Sequence, residues 1–112
     1  MRIRFVRTRE GLTMADERPV PEAALRDKKS LEVLRVWIAE HALHCSIKVG
    51  AFEGSSVPET KAWGIILADT AKHLTNALCE NSTDRDYLRE ITKSFIEEVE
   101  NPTSKATGSF VD

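Results

Sequence analysis

The sequence predicts an α+β domain in which a β-hairpin packs on two amphipathic helices, in the order ββαα. Three observations predict it. Residues 31–49 are rich in β-branched and aromatic types and alternate apolar with polar at period two. Residues 57–79 carry apolar side chains at steps of three and four behind a helix-start signal. Residues 84–100 repeat that helical spacing and stop at Asn101-Pro102.

The hairpin comes first. Leu31 to Ala39 and Leu43 to Val49 are the two strands. A two-residue turn at Glu40-His41 sets Ile38 across from Leu43, Val36 from Cys45 and Leu34 from Ile47. Residues directly opposite share a face, so these six apolar residues form the expected core face. Sliding the turn to His41-Ala42 keeps the same faces, whereas a one-residue change in loop length would mix Arg35 and Trp37 into the core face and is disfavoured. Glu40-His41 lacks the glycine or asparagine that tight hairpin turns prefer, so the turn is expected to be strained or longer. The opposite face holds Val33, Arg35, Trp37, His44, Ser46 and Lys48, an unusual solvent face because it sets a large aromatic among basic groups.

Ser56 with Glu59 fits a capping box for the first long helix, and Pro58 suits its first turn. Trp63, Leu67, Ala71, Leu74 and Leu78 are its expected core stripe. Gly64 lies inside that helix, at a cost of about 1 kcal/mol relative to alanine. A close approach of the backbone to the sheet would justify it. Thr83 is the expected cap of the second helix, with Asp84 and Asp86 near its positive end. Its expected core stripe is Tyr87 or Leu88, Ile91, Phe95 and Val99.

The domain therefore runs over residues 31–100. Residues 1–30 read as a flexible arm broken at Pro19 and Pro21, and 101–112 as a disordered tail. Residues 1–13 carry a charge of +3 and the remainder −5. Either the body is acidic with a basic arm, or Met14-Ala15-Asp16-Glu17 is the natural start and 1–13 is an extension.

With 112 residues, 41% hydrophobic and 30% charged, the chain suits one ordinary globular domain. A net charge of −2 offers no general attraction to nucleic acid or anionic membrane. No apolar run is long enough to span a bilayer. Cys45 and Cys79 are isolated, so reduced thiols and a cytoplasmic location are expected.

Candidate chemistry is sparse. His41, His44 and Cys45 cluster in sequence, but alternation sends His44 and Cys45 to opposite faces, so no metal site is expected. Asp69 and His73 share one helix face, where a carboxylate could orient an imidazole for acid–base work. The plain alternative is a surface pair. There is no phosphate-binding glycine motif, and no cofactor is expected. Arg35, Trp37, His44 and Lys48 form the candidate binding face, and Asp69 with His73 a candidate pocket. The leading functional reading is a non-enzymatic interaction or regulatory module that self-associates as a homodimer. An enzyme or small-molecule binder using His44, Asp69 and His73 is the alternative. Nucleic-acid binding through the basic aromatic face is the second.

The strings Leu34-Arg35-Val36-Trp37-Ile38-Ala39 and Leu43-His44-Cys45-Ser46, with Ala62 to Asp69 and His73, resemble a family of small bacterial proteins known only as a domain of unknown function. The resemblance covers about residues 20–80. It implies a bacterial cytoplasmic protein and no mechanism. Where that family has small residues such as glycine at the hairpin turn, this chain has His41-Ala42.

Overall fold

The computed structural model describes residues 4–8, 11–80, 85–103 and 107–110, with side chains over 16–80 and 85–103. The elements are β1 (Arg4–Thr8), β2 (Gly11–Ala15), α1 (Glu22–Arg26), β3 (Leu34–Ala39), β4 (Ala42–Ile47), α2 (Glu59–Leu78), α3 (Tyr87–Glu100) and β5 (Thr107–Phe110). The chain divides into two compact units, Met1–Glu32 and Val33–Asp112.

In the first unit, β1 and β2 pair antiparallel from Arg4↔Ala15 to Thr8↔Gly11. These strands lie where the sequence suggested an arm. Pro19 and Pro21 do separate them from α1, which starts behind Pro21 and ends as Asp27 turns extended. Glu22 at its first turn and Arg26 at its last suit the helix dipole.

The second unit carries the elements in the order ββαα, with the strands paired to one another and α2 against α3. Strands β3 and β4 pair antiparallel in the expected register, Leu34↔Ile47, Arg35↔Ser46, Val36↔Cys45, Trp37↔His44 and Ile38↔Leu43. Period-two patterning fixes which residues share a face, because a one-residue slip would exchange the faces. The turn is the short one, and its cost is visible. Glu40 and His41 have φ of 52° and 62°, the left-handed region that a type I′ turn demands at both central positions. Neither is the glycine or asparagine that adopts it cheaply.

Strand β5 adds parallel to the far side of β4, with His44↔Thr107 through Ile47↔Phe110, giving the order β3-β4-β5. It lies within residues 101–112, which the sequence suggested as a disordered tail.

The loop after β4 turns through Gly50 and Gly54, both at positive φ (89° and 80°). Helix α2 then begins behind Pro58. The expected Ser56–Glu59 capping box does not form, since no side chain caps this end. Glu59 turns back to the loop instead. At Gly64 the expected close approach is absent, because an added Cβ would meet nothing within 4 Å. Helix α3 is capped by Asp86, whose carboxylate accepts from the Arg89 N–H at 3.1 Å. The expected cap, Thr83, lies outside the described residues. Helices α2 and α3 contact one another, as a short connection favours.

Burial is the largest departure from expectation. Among the described residues, Ala62 is the one buried hydrophobic side chain, at 6% exposure. In α2 the stripe expected as core is half-buried at Trp63 and Ala71, but exposed at Leu67, Leu74 and Leu78. In α3, Tyr87, Leu88 and Ile91 are half-buried, while Phe95 and Val99 are exposed.

Candidate functional site

Alternation along β3 and β4 gives the sheet two chemically distinct faces. On the first, Leu34, Val36, Ile38, Leu43, Cys45 and Ile47 align by register. This is the expected core face, and the chain leaves much of it open. Val36 is 49% exposed, Ile38 83% and Leu43 44%.

On the second face stand Val33, Arg35, Trp37, His44, Ser46 and Lys48, all half-buried. The register brings Trp37 across from His44 and Arg35 across from Ser46. The Arg35, Trp37, His44 and Lys48 set is therefore one continuous patch. The mixed face is better covered than the wholly apolar one. That inverts the usual ordering by transfer free energy.

His44 reaches along the hairpin, its Nε2 lying 3.1 Å from the Ala39 carbonyl. A carbonyl only accepts, so Nε2 carries the hydrogen in this contact. Asp69 and His73 are both exposed on α2, and no hydrogen bond or ion pair joins them. The structure thus brings the four hairpin residues together and leaves Asp69 and His73 as a solvent-facing pair. Among the described residues, no three His, Cys, Asp or Glu side chains gather as a metal site would need. Cys45 and Cys79 are free thiols, each half-buried.

One organising residue lies outside the sequence-derived set. Glu59, the first residue of α2, accepts from the Trp63 indole Nε1–H at 2.8 Å and from the backbone N–H of Gly50 and of Phe52, each at 3.2 Å. It thereby ties the post-hairpin loop to the start of the helix. The indole hydrogen bond holds the Glu59 carboxyl below the ordinary carboxylate value. Partial desolvation opposes this, and the two backbone donors reinforce it. The i, i+4 spacing of Glu59 and Trp63 was the available signal, because such pairs face each other on a helix.

Comparison with known proteins places this geometry. The family profile "Domain of unknown function (DUF5076)" matches residues 17–103. The chain belongs to the DUF5076 family. The DUF5076 match takes in α1, the β3–β4 hairpin, α2 and α3, and stops before β5. A solved structure described as "a putative pyruvate dehydrogenase from the photosynthetic bacterium Rhodopseudomonas palustrus CGA009" is similar to this chain. It is 26% identical with a TM-score of 0.63, over 88% of this chain and 97% of the other. No curated protein matches the chain. Among the described residues, no helix is long and apolar enough to cross a membrane.

Proposed function

We propose that this DUF5076 domain is a non-enzymatic interaction or regulatory module that works as a homodimer. The observation that carries the reading is the open apolar face of the hairpin, with Ile38 at 83% exposure beside Val36 and Leu43. Fully burying one such side chain is worth about 1.5–3 kcal/mol. A chain that covers its mixed face and exposes its apolar one has left that stabilisation to another surface. Helix α2 adds Leu67, Leu74 and Leu78 to the exposed apolar area. Contiguous exposed apolar patches, such as the hairpin face formed by Val36, Ile38 and Leu43, mark association sites on soluble proteins. The overall charge of −2 supports a protein partner over nucleic acid. The free thiols of Cys45 and Cys79 support a reducing, cytoplasmic setting.

Concentration dependence of stability tests this reading. A dimer gains stability by mass action, so its unfolding midpoint in urea rises with protein concentration. Ile38→Thr should lower that midpoint and weaken its concentration dependence. In a monomer, a substitution at so exposed a site shifts stability by less than about 0.5 kcal/mol and shows no concentration dependence. That result would count against the reading.

An enzymatic reading through His44, Asp69 and His73 has one observation on its side, the similarity to the Rhodopseudomonas structure described as "a putative pyruvate dehydrogenase". Pyruvate-dependent reduction of an artificial electron acceptor by the purified chain, lost in His44→Ala and His73→Ala, would favour it over the non-enzymatic module.

A further inference from the structure

The outer edge of β3 completes the picture of how two copies would meet. Among the described strands, β3 has a neighbour on one side only. Natural edge strands are usually blunted by proline, a bulge, or a charge pointing inward. Strand β3, Leu34-Arg35-Val36-Trp37-Ile38-Ala39, has neither proline nor glycine. Its ladder with β4 runs through six consecutive pairs without a bulge. Its one charged residue, Arg35, lies on the mixed face and leaves the apolar face uncharged.

The backbone shows which groups the edge offers. The Val33 carbonyl accepts from the Lys48 N–H at 2.9 Å, so Val33 faces β4. Antiparallel pairing alternates. Arg35, Trp37 and Ala39 therefore also direct their backbone groups to β4, and Leu34, Val36 and Ile38 direct theirs outward.

We propose that β3 pairs antiparallel with β3 of a second copy, about a two-fold axis at Val36, joining the two sheets into one. This rests on the self-associating reading and names its surface. A two-fold axis on this edge must keep like faces together, so it passes through a residue and not between two, and centring at Arg35 would set like charges against each other. Centring at Val36 pairs nearly the whole strand. Val36 meets its own copy, and Leu34 meets Ile38 of the second copy, once on each side of the axis. These are the outward-directed positions, so they exchange roughly six backbone hydrogen bonds. The intervening pairs set Arg35 against Trp37 of the second copy. They are non-hydrogen-bonded pairs, whose side chains approach more closely. A guanidinium against an indole is a favourable cation–π partner, and no like charges meet. The open apolar faces then run on continuously from one copy to the other.

Amide hydrogen exchange of the full chain, with its mass by light scattering, tests this. The expected result is a dimer in which the Leu34, Val36 and Ile38 amides exchange at least about tenfold more slowly than free amides. Val36→Pro removes one outward N–H and leaves the ladder to β4 its donors. It should convert the dimer to monomer while the Arg35 and Trp37 amides stay protected. A wild-type dimer whose Leu34, Val36 and Ile38 amides exchange freely would overturn the edge pairing and leave self-association standing. So would a Val36→Pro variant that remains dimeric. A monomeric wild type would overturn both. If Val36→Pro fails to fold, the wild-type exchange pattern decides.

Discussion

The Glu59 carboxylate lies 2.8 Å from the Trp63 indole nitrogen and also receives the backbone N–H groups of Gly50 and Phe52. One side chain at the head of α2 thus closes the loop that follows the hairpin. Glu59→Ala removes all three acceptor contacts and should lower the melting temperature and shift the tryptophan emission. Glu59→Gln keeps the shape but loses the charge and one acceptor oxygen, and should fall between the two. The pH dependence has a definite sign. The folded-state carboxyl titrates below its unfolded value, so its contribution is fully present above the unfolded value. That contribution is lost as pH falls through the lower, folded one. Glu59→Gln should therefore flatten part of the acid limb of the stability curve. An acid limb identical to wild type would show that the contact carries no stability.

The hairpin turn supplies a second prediction. Glu40 and His41 both sit at positive φ, each at a cost of about 1 kcal/mol relative to a residue suited to that region. Replacing them with Asn-Gly should stabilise the fold by about 1 kcal/mol or more. Thermal unfolding would show this as a rise of about 4–8 °C for each kcal/mol in a domain of this size. No rise would mean that the turn relaxes at no cost.

Gly64 supplies a third. It lies inside α2, not at positive φ, with open space where a Cβ would stand. Gly64→Ala should stabilise the helix by about 1 kcal/mol in urea unfolding. A loss instead would mean that another chain approaches the helix at that point.

Much of the hairpin was legible in its residues. Parity gives the two faces, and of the two registers that keep Arg35 and Trp37 off the apolar one, the chain takes the turn at Glu40-His41, with Val36 opposite Cys45 and Trp37 opposite His44. The helices were legible from their spacing and from the stop at Asn101. Coverage was not. Alternation says which residues share a face, and it is silent on what lies against that face. The face of Leu34, Val36 and Ile38 therefore read as core when the chain leaves Val36 and Ile38 open. Glu59 read as a capping residue because Ser56 stands three positions before it. The loop glycine and Phe52 offered backbone donors that the spacing could not reveal. The parallel pairing of β5 was also invisible. Thr107-Gly108-Ser109-Phe110 has no apolar alternation of its own and takes its place from β4.

The proposed homodimer joins the β3 edges of two copies and sets Ile38 of each beside Leu34 of the other. The molar mass of the full chain in solution, by multi-angle light scattering across micromolar concentrations, tests it most directly. The account predicts twice the mass of one chain, falling toward a single chain's mass in Ile38→Thr. A single chain's mass throughout, with Ile38 remaining exposed, would contradict it.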